Sequence, residues 1–178
     1  MTSFHASDPD GSASDSRIIY RRTVIGEGHT DRDIRRALRD QQIERLRQGS
    51  YVSSSAYADL EDYERAETRY RDMVVAAARS GGPRRFLSHQ SAAVMLGVPL
   101  LNPDRSTVHF VSERSGRTSP GLAIHQAPIP DEHVVSIDGI LVTSIGRTVC
   151  DVARLGNLRQ AVCALDSGLY QGRIREQP

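Results

Sequence analysis

The chain lacks tryptophan and lysine entirely, holds two cysteines, and is only 5% aromatic over its 178 residues. With so few large rings, any core must be built from Leu, Ile, Val and Ala. Cys150 and Cys163 have no CxxC spacing and lie in apolar helical patterns, so they are expected as buried thiols in a reducing compartment. No apolar run approaches the ~20 residues of a membrane span. The N-terminal stretch MTSFHASDPDGSASDS is polar and acidic, without the basic-then-apolar order of a signal peptide. The expected location is the cytoplasm, with no membrane partner. Also missing are a Gly-rich phosphate loop, a GxSxG elbow and a paired-carboxylate motif with metal spacing. The expectation is therefore a protein that is not an enzyme, with no catalytic residue, no metal and no cofactor.

What is present is arginine. All 23 basic residues are Arg, set against 22 acids and six histidines, for a net charge of +1. The balance is uneven: from Arg17 to Tyr51 nine Arg face five acids, a local excess of +4. Guanidinium forks suit phosphates and guanine edges better than ammonium groups do.

The most informative stretch lies inside that basic segment, HTDRDIRRALRDQQIERLRQGSYV, residues His29–Val52. Thr30 with Asp33 three positions on reads as a capping box opening a helix. With Ile34 as zero and about 100° per residue, Ala37, Leu38 and Gln41 share its stripe, while Arg35, Arg39, Arg32 and Arg36 fall at roughly 100°, 140°, 160° and 200°. Four arginines thus occupy the face opposite the core, with Asp31, Asp33 and Asp40 at its flanks. Ile43–Arg47 then alternates as a strand, Gln48–Ser50 turns, and Tyr51–Val52 returns. Ahead of the helix, a short helix over about Tyr20–Glu27 and a turn at Gly26–His29 complete a helix-turn-helix. A basic helix followed by a basic hairpin is the layout of a winged helix-turn-helix.

The rest of the chain reads as follows. Residues 1–15 are a disordered lead, and residues 16–54 the winged helix-turn-helix. Residues 55–83 form a connecting helix, with Tyr57–Arg79 recurring at about 3.5 residues and stopped at Ser80–Pro83. Residues 84–172 form a small α+β domain with a mostly antiparallel, meandering sheet, and 173–178 are a tail. In that domain a helix runs over Ser88–Leu96, closed by Gly97. Strands are expected at Thr107–Val111, Leu122–His125, Val134–Ile137 and Ile140–Val142, the last two joined by an Asp138-Gly139 hairpin turn. Ser144 caps a helix to about Leu155, and Leu158–Tyr170 forms another. The fold class is α+β.

Five blocks in order, HTDRDIRRALRDQQIERLRQGSYV, FLSHQSAAVMLGVPLL, VHFVSER, DGILVTSIGRTVCDVAR and AVCALDSGL, resemble the actinobacterial AbiEi-like antitoxin family of type IV toxin–antitoxin systems. The likeness spans roughly Ile18 to Gly172. It implies an N-terminal winged helix-turn-helix that binds DNA and often represses its own operon. It implies an α+β antitoxin-type domain after it, and a nucleotidyltransferase-like toxin as partner. Two departures stand out. Gln41-Gln42 occupies the place where relatives tend to have Gly between helix and wing. Many relatives continue into a C-terminal domain resembling very-short-patch-repair endonucleases, which would begin beyond Pro178.

The expected DNA-binding residues are Arg32, Arg35, Arg36 and Arg39 toward base edges, with Thr30, Arg45 and Arg47 toward the backbone. Arg45 and Arg47 are expected on one side of their strand, following phosphates. The DNA partner is a double-stranded promoter region, and pairing of two copies on inverted half-sites would suit a winged domain. Two other readings of the same residues are a non-catalytic DNA-targeting remnant of an endonuclease-type protein and a purely toxin-neutralising module. Ser88 with His89 could suggest hydrolytic chemistry, but adjacent residues on a helix point roughly 100° apart, and capping explains them better. His109 and His125, with His133 nearby, could suggest a metal, but sheet-surface histidines are commoner. Arg147 and Asp151 stand at i and i+4, the spacing of a structural ion pair.

Overall fold

A computed structural model of the chain describes residues 17–82 and 84–155, together with 159, 160, 162, 163, 165 and 166. The expected lead over 1–15 and the tail over 173–178 lie outside the described residues. The fold mixes helix and strand in an α+β arrangement. The chain divides into two compact units, Met1–Arg79 and Ser80–Pro178.

The first unit begins with β1 (Ile19–Tyr20) and α1 (Arg21–Gly26). After a turn in which Gly28 takes φ 92°, α2 runs over Asp31–Arg39, followed by β2 (Ile43–Arg47), β3 (Ser50–Ser53) and α3 (Asp62–Ser80). The three strands form an antiparallel sheet in the order β1-β3-β2. Ile19, Val24, Ile34, Ala37, Ile43 and Tyr51 make its core, with Leu38 packed at the edge. The apolar stripe read from the sequence is therefore the face of α2 that is buried. β1 was not legible beforehand, because two residues are too few to show a period.

Both ends of α2 are closed by side-chain and backbone devices. At its start the Asp33 amide donates to Thr30 Oγ1 at 3.3 Å, while the Thr30 amide donates to Asp33 Oδ2 at 2.9 Å. At its end the Gln42 amide donates to the Ala37 carbonyl at 2.9 Å and the Gln41 amide to Leu38 at 3.3 Å. This pair of bonds is a Schellman closure, which needs a left-handed residue, and Gln41 supplies it at φ 52°. A side chain is strained there, whereas glycine is not. Gln41→Gly should therefore raise the unit's stability by about 0.5–1 kcal/mol, net of the extra freedom glycine brings to the unfolded chain. Urea unfolding checks this, and a variant less stable than the parent would contradict the cap.

α3 starts later than its periodicity suggests. Residues 54–60 form successive turns, with Ala56, Ala58 and Leu60 donating to the carbonyls of Ser53, Ser55 and Tyr57. The reason is Tyr57, whose buried ring sends its hydroxyl to Asp72 Oδ2 at 2.9 Å. Asp72 is fully buried on α3 and also takes a two-pronged bond from Arg17 Nε and Nη2, each at 3.2 Å. The C-terminal half of α3 is buried, with Tyr70, Met73, Val74 and Ala77 at helical spacing.

The second unit carries a six-stranded sheet, ordered β6-β7-β5-β4-β9-β8. Its elements are β4 (Phe86–Leu87), α4 (His89–Leu96), β5 (Val108–Ser112), β6 (Arg117–Ser119), β7 (Leu122–Gln126), β8 (Val134–Ile137), β9 (Ile140–Thr143) and α5 (Ile145–Leu155). Three pairings are antiparallel, but β5–β7 and β4–β9 are parallel, so the sheet is mixed and does not meander. The cause is β4. Only two residues long, it lies mid-sheet between β5 and β9, with Leu87 wholly buried. The Asp138-Gly139 turn has positive φ at both positions, 50° and 71°, as a type I′ hairpin requires.

α4 and α5 pack together through Ala93, Val98, Val149 and Val152. Within α5 the expected ion pair forms: Arg147 Nε lies 2.9 Å from each oxygen of the buried Asp151. Cys150 and Cys163 are exposed, contrary to expectation. For Cys150 the buried face of α5 is taken by Thr148, Val149, Asp151 and Val152, which turns position 150 outward. Of the helix expected over Leu158–Tyr170, residues 159, 160, 162, 163, 165 and 166 are helical; the others lie outside the described residues. No helix among the described residues is long and apolar enough to cross a membrane.

Candidate functional site

The solvent face of α2 carries Arg32, Arg35, Arg36 and Arg39, all exposed. None of the four forms an ion pair among the described residues. Two of the three acids at their flanks, Asp31 and Asp33, make their side-chain hydrogen bonds to other residues. Asp31 takes a fork from Arg21, with Nε and Nη2 at 2.8 and 2.7 Å, and that bond holds its carboxyl below the usual range. Asp33 is held low by the Thr30 hydroxyl and amide. Both carboxylates still act on the face through space, Asp31 with Arg35 and Asp33 with Arg36, but neither forms an ion pair with the four arginines. Four exposed guanidinium groups at i, i+3, i+4 and i+7 form one cationic ridge about 10 Å long.

Thr30 takes its expected place as the N-cap. Its hydroxyl accepts from the Asp33 amide and donates to Asp33 Oδ2 at 2.7 Å, so it fixes the helix start.

The hairpin corrects the expectation for Arg45 and Arg47. β2 has a bulge at Leu46: Arg45 lies opposite Tyr51, but Arg47 lies opposite Ser50. Tyr51 and Ser50 are neighbours on β3 and point to opposite faces, so Arg45 and Arg47 do too. Arg45 is exposed, with its guanidinium 5.9 Å from the centre of the Tyr51 ring. Arg47 is partly buried, its Nε has no hydrogen-bond partner, and burial lowers its pKa. Alternation read from the sequence could not show this, because a bulge inserts one residue without leaving a local signature. Of the seven residues singled out, the structure brings four together on α2. It leaves Arg45 exposed on the hairpin, turns Arg47 inward and assigns Thr30 to the cap.

A second cluster lies in the other unit and includes a residue the sequence reading left out. His89, the first residue of α4, joins His109 on β5 and His125 on β7. His109 Nδ1 and His125 Nε2 are 3.0 Å apart, and the His89 and His125 ring centres 4.0 Å. The register explains the strand pair: β5 and β7 run parallel, with His109 opposite Ala123 and His125 opposite Val111. His133, the third residue suggested by the sequence, starts no such contact; it ends a 3₁₀ turn over Asp131–His133. His89 was set aside because a helix would separate it from Ser88. It does not, since His89 has φ 52° and its Nδ1 meets Ser88 Oγ at 2.9 Å.

Burial and its two neighbours push the His89 imidazole down to about 3, and burial with His125 takes His109 to about 4. Burial also lowers His125, against the pull of Asp151. Asp104 acts in the raising direction on His109, and Arg147 and Arg154 lower His89. A histidine whose folded pKa is depressed supplies stability above its unfolded pKa of about 6.5 and loses it as pH falls. The window runs from there down to about 4 for His109 and about 3 for His89, because the unfolded chain takes up protons first. Between pH 7 and pH 5, His89 alone should lower stability by about 2 kcal/mol in chelator-treated protein. Urea unfolding at the two pH values measures it; equal midpoints would contradict the burial of the cluster.

In comparisons with known proteins, no family model and no curated sequence matches this chain.

Proposed function

We propose that the protein is a DNA-binding regulator of the antitoxin type, whose first unit acts as a winged helix-turn-helix. The observation that carries this reading is the α2 ridge: Arg32, Arg35, Arg36 and Arg39 are exposed and unpaired while Asp31 and Asp33 bind elsewhere. A helix of this kind enters the major groove, and its arginines reach guanine edges through two-pronged bonds. Arg45, on the hairpin beside it, contacts a phosphate as the wing would. Thr30 holds the helix start, and Arg47 is released from the list of contacts. The order of elements, α1, turn, α2, then hairpin, supports the same assignment.

The resemblance to AbiEi-like antitoxins adds the biological role: repression of its own operon and restraint of a nucleotidyltransferase-like toxin, without catalysis. The test is binding to the labelled duplex upstream of its own reading frame. The expected result is saturable binding with a dissociation constant of roughly 10⁻⁸ M or tighter at physiological salt. An excess of unrelated duplex should compete poorly. Competition by unrelated duplex as strong as by the cognate one would refute sequence-specific reading.

A further inference from the structure

We propose that His89, His109 and His125 form a site for one divalent transition-metal ion of the zinc class, held by three imidazoles with a fourth position open to water. This site is independent of the DNA-reading helix. One ring nitrogen from each histidine lies within 4.8 Å of the other two. Tetrahedral zinc at about 2.0–2.1 Å from each nitrogen would set them about 3.3–3.4 Å apart. The His109 Nδ1 to His125 Nε2 separation, 3.0 Å, is already near that edge, and small rotations of the three rings would aim their nitrogens at a common ion.

Three features suit a cation more than packing alone. First, the donor set is right: histidine nitrogens favour zinc, copper, nickel and iron ions. His89 and His109 are each 7% exposed, so the ligands are shielded from competing water.

Second, the surroundings orient the ligands. Ser88 Oγ takes the Nδ1 side of His89, which leaves Nε2 to act as ligand, in the way an outer-shell hydrogen bond selects a tautomer. The His109 amide is fixed by Ser91 Oγ at 2.9 Å, which ties β5 to the helix that carries His89. Asp104 places negative charge near His109, while near His125 the charge of Asp151 is balanced by Arg147 and Arg154.

Third, His89 is held at φ 52°, a left-handed conformation that is strained for an L side chain, at the first residue of a helix. Strain of this kind persists where surrounding structure fixes a side chain for use. Without a metal, the two buried imidazoles and the half-buried His125 share a single N–H···N bond. With one, the ion takes the place of that shared proton and ties α4 to β5 and β7.

The test uses the full chain, stripped with chelator and titrated with Co²⁺, followed by visible absorption and then Zn²⁺ displacement. The expected result is the strong ligand-field band of a four-coordinate ion, saturating at one equivalent. Zn²⁺ should remove it and also raise the urea midpoint. His109→Gln should abolish the band while His133→Gln leaves it intact, with folding followed by circular dichroism. If His109→Gln does not fold, Ser88→Ala decides: affinity weakened about 10- to 100-fold supports the site, and unchanged affinity overturns it. Absence of the band in the folded parent protein, or a band that persists in folded His109→Gln, also overturns it.

Discussion

With Arg35 and Arg36 both replaced by alanine, the protein should lose about 100- to 10,000-fold of its affinity for the duplex upstream of its reading frame. The figure follows from about 1.4–2.7 kcal/mol of discrimination per two-pronged base contact, within the usual range of about 1–3, taken twice. The same variant should bind unrelated duplex only modestly less well, because phosphate contacts elsewhere supply that term. Folding offers no competing explanation. Both side chains are exposed and unpaired, so their removal should change stability by no more than about 0.5 kcal/mol. Arg117→Ala, exposed on an edge strand of the second unit, is the control and should leave binding unchanged. Arg45→Ala should act differently, weakening all sequences alike and reducing the salt dependence by about one counterion. Titrations by fluorescence anisotropy at several salt concentrations separate these outcomes.

The second large effect concerns Asp72. Its carboxylate is fully buried and meets three donors, the two of the Arg17 fork and the Tyr57 hydroxyl. Arg17→Ala leaves that charge buried with one neutral donor and should cost about 3 kcal/mol, at the lower end for breaking a buried pair because Arg17 is itself partly exposed. Tyr57→Phe should cost less, about 1–2 kcal/mol, since it removes one hydrogen bond and leaves the ion pair whole. Burial and the Asp72 charge both push the Tyr57 hydroxyl up, so it remains a donor across the working pH range. Chemical unfolding of the three proteins gives the ranking. Equal, small losses would mean that water satisfies Asp72 instead.

Much of the first unit was legible because its signals are local. The Thr30–Asp33 capping box, the Ile34–Ala37–Leu38 stripe and the Gly49 turn each depend on residues within a few positions of one another, and all appear in the structure. The α2 arginine face follows from the same stripe, since it is the part left over. What escaped was set by distance. Tyr57 fits a helical repeat, yet its hydroxyl is claimed by Asp72, fifteen residues on, and the helix starts later. The bulge at Leu46 reverses Arg47 through pairing with another strand, which alternation within β2 cannot reveal. The two-residue β4 acquires its central position only from β5 and β9, so a sheet expected to meander is mixed. The histidine cluster needed three such long-range facts together: the parallel β5–β7 register, the position of α4 and the left-handed backbone at His89. Two of its members were suspected from the sequence, and the third was displaced by His133, the wrong neighbour.

In the proposed function the arginine face of α2 meets DNA. Arginine Nε–H resonances report it residue by residue when the unlabelled upstream duplex is titrated into the ¹⁵N-labelled protein. Saturating shifts are expected for Arg32, Arg35, Arg36 and Arg39, with a weaker response at Arg45 and none at Arg117. Unmoved α2 signals at duplex saturation, with binding confined to arginines elsewhere, would contradict it.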